Sequence, residues 1–201
     1  MLGLPKLTEL DQQIAKKTIY AKFQLNNATK DRIDADIAKI TLVNEVSAEK
    51  INLAKGSEIE SFFVVLVQLK TSDFNETSII TLSKLIPQNM LFVLQYADKA
   101  KLAVYQNKLM QTDWYPIDEL TVELKGLNLD RVWQNIILQI GQFAIEQGNT
   151  LEQQIIINDK KKKLVLSIER LETQARKERQ PKKTFELVQK INKLKKELED
   201  L

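Results

Sequence analysis

Phe62-Phe63-Val64-Val65-Leu66-Val67 decides the fold of this chain, because six successive apolar residues leave an extended segment without a polar face. A strand of that kind belongs in the middle of a sheet covered on both sides. The segment runs from about Ile59 to Leu69, and the residues after it keep the same logic. Asp73 stands three residues before Glu76, an N-cap pattern, and Ile79, Leu82, Leu85 and Ile86 form an apolar helical stripe that Pro87 ends. Leu91-Phe92-Val93-Leu94 is the next strand, so strand, helix and strand make a βαβ unit with a parallel crossover, expected to be right-handed. The turn Ala97-Asp98-Lys99-Ala100 then leads into Leu102-Ala103-Val104-Tyr105, an antiparallel hairpin. The fold class is α/β (α+β), with a mixed sheet.

Upstream, Thr41 to Val46 suits a further strand. Ile33, Ile37 and Ile40 share one helical face of a segment beginning near Thr29. Residues 4–25 carry two patterns: Leu7, Leu10 and Ile14 have helical spacing, whereas Thr18-Ile19-Tyr20-Ala21-Lys22-Phe23 suits an extended segment. Downstream, Leu129, Val132, Trp133, Ile136, Ile137, Ile140, Phe143 and Ala144 predict a strongly amphipathic helix stopped by Gly148-Asn149. Thr150 with Gln153 is a capping box for the next helix.

That next helix carries Leu164, Ile168, Leu171 and Ala175, and after Arg179-Gln180-Pro181 comes the series Leu187, Ile191, Leu194, Leu198 and Leu201. Both series alternate spacings of three and four, the seam of a coiled coil. The two together predict an antiparallel helical hairpin, with arms of roughly 40 and 28 Å at 1.5 Å per residue. The expected organisation is a mixed α/β domain over 1–126, an amphipathic core helix over 127–149 and a basic hairpin over 150–201.

The chain has 201 residues with neither cysteine nor histidine, which excludes disulfides, thiol nucleophiles, Cys/His zinc sites and imidazole bases. Five scattered glycines form no phosphate-cradling loop, and no cofactor or metal site is expected. No apolar stretch is long enough to cross a membrane and Met1 to Lys6 lacks a signal-peptide pattern, so a cytoplasmic location without membrane contact is expected. The net charge of +3 hides an asymmetry: residues 151–201 hold 14 Lys and Arg against 9 Asp and Glu, and the other 150 residues hold 16 against 18. A basic helical end suits phosphate backbones or an acidic protein face.

Two groups of residues invite a chemical interpretation. The run Lys160-Lys161-Lys162-Lys163, with Arg176, Lys177, Arg179, Lys182 and Lys183 around the helix break, would touch nucleic acid or a partner. Its simpler explanation is a solvated polar face, and Phe185, the one aromatic residue there, builds no base-stacking ladder. At the end of the central strand, Gln68 and Lys70 share a strand face, with Glu60 and Glu58 near its start and Asp34, Asp36 and Glu45 elsewhere. Restriction-type nucleases place an acid two residues before a lysine to hold Mg²⁺ beside the attacking water. Gln68 offers only a neutral ligand, and a polar strand end explains the pattern as well.

Leu4-Pro5-Lys6, the βαβ unit ending at Leu94, Asp113-Trp114, Leu127-Asn128-Leu129-Asp130 and the tail with Arg176-Lys177-Glu178-Arg179-Gln180-Pro181-Lys182-Lys183 together resemble a bacterial domain-of-unknown-function family, number 4391. The resemblance spans nearly the whole chain. It implies a companion of helicases and DNA methyltransferases in restriction or phage-defence islands, and it brings no catalytic residues with it. The expected function is therefore a non-catalytic accessory protein that associates through its basic tail. A helicase-type or methyltransferase-type protein is the partner that the resemblance implies; DNA and a second copy of the chain are the others the tail admits. The alternatives are a degenerate Mg²⁺-dependent nuclease using Lys70 and Gln68, and a non-specific DNA-binding module.

Overall fold

The computed structural model describes residues 2–201. The chain divides into a compact unit that ends at Gln142 and a second over Phe143–Leu201. The first contains β1 (Glu9–Ile14), α1 (Lys16–Lys22), α2 (Asn27–Asp36), β2 (Ile37–Ser47), β3 (Ser61–Leu69), α3 (Glu76–Leu85), β4 (Asn89–Tyr96), β5 (Lys99–Gln106), β6 (Lys108–Gln111), β7 (Tyr115–Pro116) and α4 (Leu129–Gly141). The second contains α5 (Leu151–Lys177) and α6 (Pro181–Glu199).

One mixed sheet runs in the order β1-β2-β3-β4-β5-β6, with β7 paired to β5. The apolar run sits at its centre: β3 pairs antiparallel with β2 and parallel with β4, and β4 turns antiparallel into β5. The βαβ unit is therefore present, with α3 as its crossover. Because side chains alternate along a strand, Val65, Val67 and Leu69 enter a core with Ile19 of α1, Ile33 of α2 and Ile79 and Leu82 of α3. The opposite face presents Phe62 and Val64, both fully buried, and the Phe62 ring lies 5.1 Å from that of Trp133 in α4. Helices cover both faces, which is what a strand with no polar face requires.

Within residues 4–25, where the sequence leaves helix and strand both open, Leu7 lies in a short 3-10 turn, Leu10 and Ile14 in a strand, and Thr18 to Lys22 in a helix. Several local expectations elsewhere are corrected. Ile37 and Ile40 lie in β2 rather than on α2, which ends at Asp36. The register of β2 against β3 shifts between Ile37 and Lys39. A bulge of that kind resets the alternation, so two residues three apart are both buried, as on a helix. The cap of α3 is Asn75, whose side chain accepts from the Thr77 N–H at 2.9 Å, and not Asp73. Helix α4 stops at Gly141, because Gln142 takes a left-handed conformation (φ 56°) and donates its N–H to Leu138 O. Phe143 and Ala144 are thus outside the helix, well before Gly148. The Thr150–Gln153 capping box is formed in both directions.

Candidate functional site

Of the strand-end candidates, Lys70 is brought beside Asp34 and Asp36, whereas Glu60 lies at the other end of β3. Glu60 precedes β3 and Lys70 follows it, about 33 Å apart for ten residues at some 3.3 Å each. Lys70 donates its Nζ to Asp34 O at 2.5 Å and its backbone N–H to Asp36 O at 2.9 Å, which fastens the end of β3 to α2. The carboxylates nearby are equally committed. Asp36, largely buried, accepts from the Asn75 N–H (3.2 Å) and Ser78 Oγ (2.5 Å) and so anchors the N-terminus of α3, where the helix dipole favours a negative charge.

Asp34 is ion-paired with Lys16 and accepts from the Tyr20 hydroxyl at 2.9 Å. Lys16 holds the Asp34 carboxyl below its ordinary value, and burial together with the Asp34 charge pushes the Tyr20 hydroxyl up. Glu45 is paired with Lys50 at 2.6 Å. Among the described residues no group of three or more Asp, Glu, His or Cys side chains is placed to hold a metal ion.

The second unit is a helical hairpin. Only Glu178, Arg179 and Gln180 separate its two helices, and the Glu178 carboxylate accepts from the N–H groups of Arg179 (2.9 Å) and Gln180 (3.0 Å), which shapes the turn. Pro181 opens α6 at a position where its missing N–H costs nothing. Leu164, Ile168 and Ile191 are buried, while Leu187, Leu194, Leu198 and Leu201 are half-buried. The seam residues are thus covered within the hairpin, and ion pairs Lys160–Glu197 (3.1 Å) and Lys195–Glu172 (2.8 Å) cross between the arms. The first of these joins the two ends remote from the turn, so the arms run antiparallel.

The lysine run is spread around α5 rather than concentrated. Lys160 reaches Glu197, Lys161 reaches Glu146 at 3.1 Å and Lys163 reaches Asp159 at 2.7 Å; Lys162 is exposed. Arg176, Lys177, Arg179, Lys182 and Lys183 are all exposed around the turn.

A larger pattern appears when positions are grouped by their place beside the seam. On one side α5 presents Lys160, Lys163, Ser167, Arg170, Gln174 and Lys177, and α6 with its C-cap presents Lys183, Glu186, Lys190, Lys193, Glu197 and Asp200. These follow the 3,4 spacing that keeps residues on one helical stripe. A groove lined by Gln174, Lys177, Glu178, Lys183, Glu186, Leu187 and Lys190 shows that the two stripes adjoin near the turn. Seven cations face four carboxylates there, Glu178, Glu186, Glu197 and Asp200. On the other side Lys162, Arg176 and Lys195 balance Glu169, Glu172 and Glu199, and the exposed Val165, Phe185 and Val188 lie among them.

The family model described as Domain of unknown function (DUF4391) matches residues 2–198 of the chain. The chain belongs to this family. No curated protein and no solved structure matches it. Among the described residues of this DUF4391 member, no helix is long and apolar enough to cross a membrane.

Sequence reasoning missed Arg170, Lys190 and Lys193, although Lys163, Arg170 and Lys177 recur at seven residues, a period that a search for consecutive lysines passes over. It also missed Asp130, in the first turn of α4. Its carboxylate accepts from the Ser57 N–H (2.7 Å), Ser57 Oγ (3.0 Å), the Glu58 N–H (3.2 Å) and the Ile59 N–H (2.8 Å). Desolvation raises the Asp130 value, but the hydrogen bonds outweigh it and leave the carboxyl below the ordinary range. No sequence signal links groups more than 70 residues apart.

Proposed function

We propose that this protein is a non-catalytic accessory protein of a bacterial DNA-processing or phage-defence system. It acts in the cytoplasm and associates through its C-terminal hairpin, a short antiparallel coiled coil, with a larger partner of the helicase or methyltransferase kind. The observation that carries the proposal is the exposed trio Val165, Phe185 and Val188 on the electrically balanced side of a hairpin whose seam is already closed. Phe185 is 63% exposed. An aromatic residue left in water one helical turn from Val188 is the raw material of an interface core, where Phe is enriched and charge is depleted. Supporting it, Lys70, Asp34 and Asp36 are tied into the packing of the first unit.

The test is co-expression of the tagged full chain with a candidate helicase or methyltransferase partner from the same host, followed by affinity purification. Co-elution at fixed stoichiometry is expected, and Phe185→Asp with Val188→Asp should abolish it without lowering helicity at 222 nm. A partner that never co-elutes, or one retained undiminished by the double variant, refutes the reading.

A further inference from the structure

We propose that the cationic side of the hairpin is a docking surface for the phosphate backbone of a nucleic-acid duplex, bound without regard to base sequence. The inference deepens the accessory reading, on which it rests for its setting, and assigns the other side of the same element.

Three observations support it. The stripe Lys160, Lys163, Ser167, Arg170, Gln174, Lys177 contains no carboxylate over 17 residues of rise, about 25 Å of straight helix. A second stripe, Lys183, Lys190 and Lys193 with Glu186, Glu197 and Asp200, runs beside it, and near the turn the two flank a groove that also holds Glu178. Closely packed helices lie some 8–10 Å apart, so the cations form two rows on a rigid plate.

Some of this charge is already used. Lys160 is paired with Glu197 and Lys163 with Asp159, and Glu178, held below its ordinary value first by the Gln180 N–H, also feels the charge of Lys183. Arg170, Lys177, Lys190 and Lys193 are exposed and carry no ion pair among the described residues. These four leave an excess of positive charge on the surface, and duplex nucleic acid supplies the opposite sign at high linear density.

The composition of the stripe separates this ligand from other polyanions. A membrane-surface helix interleaves its cations with apolar residues that enter the lipid, and between Lys160 and Lys177 the stripe has none. An interface with an acidic protein is anchored by buried aromatic or aliphatic residues, and those lie on the opposite side, at Val165, Phe185 and Val188. Single strands are held by stacking on aromatic rings, and Phe185 faces away. A long, polar, evenly charged plate fits the backbone of a duplex.

The experiment is fluorescence anisotropy of the full chain with a labelled random-sequence DNA duplex of about 25 base pairs. With three to five phosphates neutralised, affinity should fall about 40- to 500-fold between 50 and 200 mM salt. The variants Arg170→Gln and Lys193→Gln should each flatten the logarithmic salt slope by about 0.9, and combination with Lys177→Gln and Lys190→Gln should remove most of it. Lys162→Gln with Arg176→Gln, on the other side, should leave binding within twofold. All are exposed positions, and circular dichroism at 222 nm checks that each variant folds.

Binding that is absent or insensitive to salt overturns the proposal, as do equal losses from the two sides. Tighter binding to single strands or phosphatidylserine vesicles, or displacement by polyglutamate at matched charge, overturns it in favour of that other ligand. A partner that never co-elutes with the unaltered chain, while duplex binding is intact, refutes the accessory reading alone. The reverse result refutes the duplex surface alone.

Discussion

Gly56→Ala should destabilise the first unit through a contact with a residue far away in the sequence. A Cβ at Gly56 would stand 2.1 Å from Asp130 Oδ1, 2.6 Å from Asp130 Cγ and 2.9 Å from Ile59 O. The added methyl cannot coexist with the Asp130 carboxylate where it sits. Asp130 must rotate away, and three backbone N–H groups and the Ser57 hydroxyl lose their acceptor. A hydrogen bond to a charged group contributes about 1.5–3 kcal/mol. Three of these four are exposed and water replaces the acceptor there, so the whole change is expected to cost about 2–3 kcal/mol rather than the sum.

Both tryptophans, Trp114 and Trp133, lie in the first unit, so urea unfolding followed by their fluorescence reports that unit. A double-mutant cycle gives the decisive result. In an Asp130→Ala background the same Gly56→Ala change should cost less than about 1 kcal/mol, leaving only the approach to Ile59 O. Costs that simply add would refute the mechanism.

Phe62→Ala should cost about 3–5 kcal/mol on the same assay, since the ring is fully buried against Trp133; a loss under 1 kcal/mol would mean the central strand is not packed from that side. Ile191→Asp places a charge in the hairpin seam, where Ile191 is buried, and burial of an unpaired charge costs several kcal/mol. Helicity at 222 nm should fall, and undiminished helicity would show that the seam is held elsewhere. Asp34 titrates below its ordinary value in the fold because of Lys16. Its contribution is therefore complete above about pH 4 and lost as pH falls through the folded value. Denaturation of wild type and Asp34→Asn between pH 7 and 3 should show the gap between them closing on the acid side, and a constant gap would exclude this carboxylate from the acid response.

What the sequence disclosed depended on whether one element's own periodicity reports its burial. β3 and β4 are covered on both faces, so an apolar run is unambiguous there. β1 is an edge strand, mostly exposed, with its register against β2 broken between Glu9 and Gln12. Alternation is the signal that marks a strand, and a bulged and exposed edge does not display it. The segment Thr18 to Lys22 has β-branched and aromatic residues that favour extension, yet it is helical because Ile19 joins the core and Tyr20 reaches Asp34. Tertiary contacts override a weak local preference. At the candidate surface the sequence made the charge visible and left its direction hidden. Four adjacent lysines point to different quarters of α5, whereas Lys163, Arg170 and Lys177, each seven residues apart, share one.

The distribution of charge beside the seam bears on why the hairpin has two unlike sides. For the stability of a helix pair alone, residues flanking the seam are best arranged with alternating sign, as Glu172 and Lys195 are on the balanced side. Seven cations against four carboxylates on the other side leave a net excess of positive charge, and like charges three or four residues apart weaken a helix by a few tenths of a kcal/mol each. The seam does not require that arrangement, because Leu164, Ile168 and Ile191 are buried whichever sign flanks them. Solubility does not require it either, since mixed charges keep a helix in water equally well. A one-sided excess that costs stability and serves neither packing nor solubility is best accounted for by a ligand that brings the missing negative charge.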